Sequence, residues 1–399
     1  MISYQEALGL TLDASVLTEA EKCPLSGALG RVLAQNLIAP FRLPRFDNSA
    51  VDGYALSGPG SGTFLEVVRT IGAGESAGQA LQLEECARIF TGAPVPPEAY
   101  AVVMQEDVIF EEGKVRIFEE VKQGQNIRLA GEEFAQGAVV LNAGVLMNPA
   151  GIASAAAIGC SQVSVHRSPT IGIVVTGAEL VAPTTELGEG QIYESNSFAL
   201  SAALQSLGLA PAFIKVVDDD PELTLLTLRD ALSRCDLLIT TGGVSVGDRD
   251  VVKDALENLG VKKVYWGVAI KPGKPVYFGM QGQKAVFGLP GNPLSVLTTF
   301  TLLAQPFIKA CMGFQNPNPP RTQARLQSEI VHRPGRQEFV PANLDCLSDG
   351  VVVTPILGQG SHMLGGMARA NCLIDIPTEA SKLSRCDVVW ILPFGQVAV

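Results

Sequence analysis

Between Asp236 and Pro293 three apolar runs each break into a glycine-rich turn, and this pattern constrains the fold more than any other feature of the sequence. DLLITTGGVSVGDRD passes from strand-forming residues into a Gly/Ser/Thr loop that ends in Asp248 and Asp250. YWGVAIKPGKPVYFG and AVFGLPGNPLSVLTTF repeat the move, and two of the three turns lead into a helix. Short apolar strands alternating with helices build a parallel sheet covered on both faces. At the carboxyl ends of such strands, backbone N–H groups and helix N-termini converge, and open α/β sheets collect ligands there. The turns carry glycines, hydroxyls, two lysines and two aspartates, but no histidine and no cysteine. That inventory suits a phosphate held with a hard metal ion, not a thiolate or zinc reaction. The expectation is a nucleotide-type pocket.

The remaining 341 or so positions set limits on what surrounds it, for a chain of 399 residues exceeds one ordinary domain. A hydrophobic share of 47% against 17% charged residues describes a well-cored globular chain, not a disordered one. A formal net charge of −11 argues against nucleic acid or an anionic membrane as the main partner, although local lysines can reverse the field in one cleft. The eight cysteines show no CxxC spacing and no paired histidines, and most lie in apolar stretches such as SRCDLLIT and ANCLIDIP. They read as small buried hydrophobes in a reducing compartment. No basic-then-apolar leader opens the chain, and no run approaches the roughly 20 apolar residues of a membrane helix. A cytoplasmic protein is expected.

Taken in order, residues 2–39 show apolar spacing of three and four and predict helices, with Pro24 in a first turn. PFRLPRFDNSAVDGYAL then crowds Asp47, Asn48, Ser49, Asp52 and Gly53 between aromatics, as a binding loop would. Short strands with turns every eight to twelve positions follow up to Gly137, where Glu106, Asp107, Glu132 and Glu133 also read as solvated strand edges. From Pro169 strand and helix alternate; SNSFALSAALQSLG is a helix with Ser195 or Asn196 as its N-cap. The reading is a multidomain α/β plus β chain. Residues 1–40 and 138–166 form a discontinuous helical or α+β dimerisation domain, interrupted by an all-β insertion over 41–137. Residues 167–314 form a doubly covered α/β domain. FQNPNPPRTQ is a linker, and 321–399 form a small β-barrel domain.

Ten stretches together resemble one family: PRFDNSAVDGYA, TGAPVP, VVMQED, NIRLAGEE, VTGAEL, IYESNS, TTGGVSVGDRD, KPGKP, GLPGNPLS and QGSHML. They occur in the order found in the molybdopterin molybdenumtransferases of molybdenum cofactor synthesis, which include the bacterial MoeA proteins and the gephyrin E domain. The resemblance implies an elongated homodimer with four domains per subunit and a site shared between subunits. It implies a reaction in which adenylylated molybdopterin and molybdate are the substrates, AMP is released, and Mg2+ assists. A molybdopterin adenylyltransferase is the implied partner. Because the dithiolene of the pterin carries the metal-transfer chemistry, the protein need only position, neutralise and trigger phosphate cleavage. This accounts for the lack of a catalytic cysteine or histidine.

Carried over position by position, the resemblance makes Asp52, Glu179, Asp219, Asp250, Lys271 and Lys274 catalytic. Thr91, Thr241, Gly242, Gly243, Ser245, Gly247, Pro290, Gly291, Asn292, Pro293 and Ser361 become substrate contacts. Glu179, Asp219, Asp248 and Asp250 become ligands for Mg2+. Glu133 stands where the family usually has Asp, Ala178 replaces a usual Asp, and Gly267 often corresponds to a basic residue. Pro341 occupies a position where many members have an arginine tied to molybdate. A guanidinium forks onto an oxyanion in a way proline cannot imitate, which leaves two alternatives: Arg336 or Arg369 supplies the charge, or the chain belongs to a subfamily with a different oxyanion site. Alternative readings are a non-catalytic molybdopterin-binding or delivery paralogue and a tungstate-using variant.

Overall fold

The computed structural model describes residues 1–60, 62–243, 251–348, 350–356 and 363–394. Its centre is a six-stranded sheet in the order Phe213–Val217, Ile171–Thr176, Leu237–Thr241, Lys284–Leu289, Tyr277–Gln281, Lys262–Trp266. The first four strands run parallel, Tyr277–Gln281 runs against them, and the edge strand Lys262–Trp266 pairs antiparallel with Tyr277–Gln281. IGIVVT and LLITT are buried at every position, as parallel strands covered on both faces must be. Their side chains alternate between two cores. Ile171, Ile173 and Val175 join Leu200, Phe287 and Phe300 on one face, while Val174 joins Leu228, Leu232 and Leu256 on the other. Phe278 stacks 4.6 Å from Phe287, and deleting such a fully buried ring costs about 3–5 kcal/mol.

The helices that cover this sheet follow from local chemistry. Pro221–Arg234 starts with proline at its first turn, and Asp220 accepts the Leu223 N–H at 2.7 Å. The long run from Pro293 to Cys311 widens over Phe300–Ala304, directly before Pro306, whose missing N–H cannot complete the regular ladder. It is 19 residues long and apolar, yet 72% buried within the molecule, so its hydrophobicity serves the core.

The helical expectation for 2–39 holds only over Tyr4–Asp13, capped by the Ser3 hydroxyl. Beyond it, Ala20–Pro24 is a strand paired with Gln162–His166, and Leu37–Ile38 pairs with Val139–Leu141. Pro24 ends that strand and precedes a single tight turn over Leu25–Gly27, not a longer helix. Gly30 takes a left-handed φ of 73°, and the N–H groups of Leu33 and Ala34 donate to Val145 and Ser164. Those partners outcompete a helix whose apolar spacing is otherwise adequate. Helix Tyr4–Asp13 packs on the central sheet through Tyr4, Ala7 and Leu8, with the Tyr4 ring 5.2 Å from Phe339. It is thereby separated from the two-stranded pairings that tie 20–38 to 139–166.

The insertion is a six-stranded sheet in the order Ala101–Met104, Gly53–Leu56, Glu85–Ile89, Phe64–Ile71, Lys114–Ile117, Val108–Glu111. At the other end, Thr322–Leu326, Gln337–Leu347, Gly350–Pro355, Cys372–Ile376 and Val388–Pro393 close into a five-stranded barrel. One further pairing docks the barrel on the α/β unit: Ile270 and Lys271 run parallel beside Gln337 and Glu338.

Candidate active site

The carboxyl ends of the parallel strands open into a cavity of about 670 Å³. Thr176 ends the strand Ile171–Thr176 and Gly177 follows it; Asp219 lies just past Phe213–Val217, and Gly242 and Gly243 just past Leu237–Thr241. Gly291, Asn292 and Pro293 lead into the long apolar helix, and Asn196 opens another helix on the rim. Glycine is required at 242: φ is +84°, and a Cβ there would fall 2.3 Å from the Thr176 carbonyl oxygen. Thr241 is buried behind this turn and is not among the residues that line the cavity, its hydroxyl without a partner among the described residues. Glu179 is held at the mouth by a short parallel pairing of Leu180–Val181 with Ile192–Tyr193, and by the Ile192 N–H donating to its carbonyl.

Asn196 was legible as a possible cap and is something else. Its Nδ2 donates to the Gly291 carbonyl at 2.8 Å, while its Oδ1 is buried without a partner. The capping falls to Glu194, whose carboxylate takes the Ser197 N–H at 2.8 Å and the Ser197 hydroxyl at 2.5 Å; the Ser195 side chain makes no cap bond. A buried, uncompensated amide oxygen is costly unless a ligand supplies a donor.

Asn292 also lines a second cavity of about 490 Å³, between the KPGKP turn, the GLPGNP turn and the barrel strand Gln337–Leu347. Lys271, Lys274, Pro290, Ser295, Arg336 and Pro341 all face it. Gly273 has φ +101°, and a Cβ there would meet the Thr299 methyl at 2.3 Å, so this turn calls for glycine at position 273. Lys271 Nζ stands 2.7 Å from Glu338 Oε1. The Glu338 side chain is only 7% exposed, and His332 Nε2 lies 3.5 Å from its other oxygen. His332 Nδ1 is 2.7 Å from the Ala380 carbonyl. Glu338 escaped the sequence reading because a lone Glu in a strand announces neither its burial nor its lysine.

Asp52 and Thr91 lie elsewhere, on the insertion, and line neither cavity. Asp52 Oδ1 accepts both the Thr91 N–H at 2.7 Å and the Thr91 hydroxyl at 2.8 Å. The backbone N–H first, and then the hydroxyl, hold this exposed carboxyl below the ordinary range. Glu132 caps its own turn by accepting the Leu129 N–H, and Asp47 accepts the Ala130 N–H from 83 positions away. Ser245, Gly247, Asp248, Asp250 and Ser361 fall outside the described residues. Among the described residues no three His, Cys, Asp or Glu side chains cluster as a metal centre, and Glu179 and Asp219 are the two carboxylates placed at the strand-end cavity.

Comparison with known proteins adds a family to this geometry. Residues 2–159 match the MoeA N-terminal region (domain I and II), 172–310 a probable molybdopterin binding domain, and 323–394 the MoeA C-terminal region (domain IV). The molybdopterin molybdenumtransferase of Haemophilus influenzae is 35% identical, with 95% of each chain covered. Molybdopterin molybdenumtransferase 2 of Mycobacterium tuberculosis H37Rv is 36% identical over 90% of this chain and 92% of its own. The crystal structure of the MoeA protein from Pyrococcus horikoshii OT3 superposes with a TM-score of 0.84 at 32% identity, covering 99% of this chain and 100% of that one. With the three regions matched in order and the likeness running end to end, the chain belongs to the molybdopterin molybdenumtransferase (MoeA) family.

Proposed function

We propose that this chain is a transferase of molybdenum cofactor biosynthesis, which takes adenylylated molybdopterin and molybdate and releases AMP as molybdenum passes to the pterin. The observation that carries the reading is the pair of cavities meeting at Asn292. One is a glycine-lined cradle with carboxylates, and the other is lined by lysines and an arginine. The first suits the pterin and its phosphates: Gly242 and Gly243 let the backbone approach, and the unpartnered Asn196 Oδ1 offers an acceptor to a pterin N–H. The second suits an oxyanion.

Glu179 and Asp219, both hard oxygen donors at the cradle, fit Mg2+. The family resemblance adds Asp248 and Asp250, which lie outside the described residues, and a bound ion would neutralise charge on the phosphates. The protein's own residues position the two substrates and hold their charges, while the dithiolene supplies the bond to the metal. Asp52 and Thr91 lie apart from both cavities, which supports a homodimer in which the insertion of one subunit completes the site of the other. A molybdopterin adenylyltransferase would supply the substrate. All eight cysteines are unpaired, which supports a reducing, cytoplasmic setting.

The test is to incubate the purified protein with adenylylated molybdopterin, magnesium and molybdate and to follow AMP. Molybdate-dependent AMP release is expected. Tight pterin binding without any release would instead support the delivery paralogue, and tungstate replacing molybdate at lower concentration would support the tungstate variant.

A further inference from the structure

A third cavity, of about 900 Å³, lies between the α/β unit and the C-terminal barrel domain and shares no lining residue with the two described above. Ala199, Ala202 and Ala203 line it from the helix Asn196–Gln205, and Leu364, Met367 and Ala368 from the barrel side. Leu297 and Phe300 of the long apolar helix add to the same lining. Its size falls within the roughly 300–1,000 Å³ of small-molecule sites.

Three polar side chains enter this apolar space at intervals of four along the long helix: Thr301, Gln305 and Lys309. Their row begins in the widened turn Phe300–Ala304, an irregularity common at functional sites. Thr298 and Thr299, just before it, return their hydroxyls to carbonyls one turn back. Thr301, Gln305 and Lys309 make no side-chain hydrogen bond or ion pair with any described residue. Lys309 is the one charged residue of the lining among the described residues, and its nearest recorded partner is the Phe314 ring, 6.0 Å from Nζ. Burial holds its ammonium below the ordinary range, and no ion pair among the described residues offsets that cost. A half-buried, unpaired cation at an apolar space lowers stability unless an anion arrives to meet it.

We infer that this cavity binds an unbranched aliphatic monocarboxylate, its chain against the alanines, Leu297 and Phe300 and its carboxylate received by Lys309 with Gln305 beside it. One ammonium matches one negative charge, and no arginine fork lines the cavity to select a phosphate ester. Alanine, leucine and methionine offer contact area without further polar partners, as a hydrocarbon chain requires. The site is independent of the proposed reaction.

Calorimetric titration of the full chain with octanoate, decanoate and dodecanoate, each kept below micelle formation, tests this. Each added methylene should tighten binding about fourfold until the cavity is filled. Lys309→Met should weaken decanoate about ten- to a hundred-fold and leave decanol unchanged, whereas Lys309→Arg should keep part of the affinity. Ala203→Phe, which fills the space, should abolish binding of both; Ala202→Phe on the same wall replaces it if thermal unfolding shows a folding defect. No decanoate binding by the unmodified protein, an affinity that ignores chain length, or equal decanoate affinity in Lys309→Met overturns the assignment. So does a dimer that dissociates on Ala202→Phe, seen by light scattering, because the cavity would then be a contact between two copies of this chain.

Discussion

Lys271→Ala removes the cation that stands 2.7 Å from Glu338, and the consequence divides into stability and ligand binding. Glu338 is 7% exposed, so the mutation leaves a buried carboxylate with the His332 ring, 3.5 Å away, as its remaining side-chain neighbour among the ion-pair contacts. Breaking a fully buried ion pair from one side costs about 3–5 kcal/mol. Here the lysine side chain is 48% exposed and water enters the gap, so a discounted cost of about 1–2 kcal/mol is appropriate. At roughly 2–4 °C per kcal/mol for a unit of this size, the apparent midpoint of thermal unfolding should fall by about 2–8 °C. Glu338→Gln in the same chain removes the stranded charge and should return most of that loss, giving a coupling of about 1 kcal/mol in a double-mutant cycle. Circular dichroism melts of wild type, both single variants and the double variant supply the four corners. If Lys271→Ala melts with the wild type, or the double variant is no more stable than Lys271→Ala, the pair does not hold Glu338 in place.

Thr91→Val keeps the backbone N–H but deletes the hydroxyl donor, so the Asp52 carboxyl should titrate at higher pH than in the wild type, by carbon-detected NMR. The folded value is depressed, so whatever stability Asp52 contributes is present above its unfolded range and lost as pH falls through the folded value; the variant should lose it earlier on acidification. Gly242→Ala should distort the cradle, because its Cβ meets the Thr176 carbonyl at a left-handed φ; loss of pterin binding in a folded protein is the expected outcome, and unaltered binding would refute the cradle. Burial holds the Lys309 ammonium below its ordinary range, so stability should rise as pH climbs from the folded value towards that of free lysine. Lys309→Met should raise the melting midpoint and flatten that rise; an unchanged pH profile would count against it.

The parallel sheet was legible because IGIVVT and LLITT are apolar runs too short for helices and too continuous for half-buried strands. The cradle was legible for the same reason, since glycines at strand ends have few other uses. Residues 25–39 misled because helical spacing of apolar side chains also satisfies a chain that lends its N–H groups to neighbours on either side; of its two glycines, Gly30 with its left-handed φ marks the break. Arg336 was visible merely as a substitute for a missing arginine; that it shares a cavity with Lys274 depends on docking between two units. The two lysines of KPGKP look equivalent in sequence. What separates them is Glu338, more than sixty positions away, which the register of Lys271 beside Glu338 brings into contact.

That docking makes a last measurable consequence. The second cavity takes Lys274 and Ser295 from the α/β unit and Arg336 from the approach to the barrel, so it exists only while the short parallel pairing holds the two together. A ligand that binds the docked state alone must stabilise it by linkage, about 2.7 kcal/mol at a hundred times Kd. The Gln337 N–H, bonded to the Ala269 carbonyl across that junction, reports the docking directly. If its exchange with solvent proceeds by local undocking, saturating molybdate should slow it about a hundred-fold at that concentration, while amides within Ile171–Thr176 change little. Phosphate-free buffer is needed, since any tetrahedral dianion competes. Exchange at Gln337 that ignores molybdate, in a protein calorimetry shows to be saturated, would place the anion away from this junction.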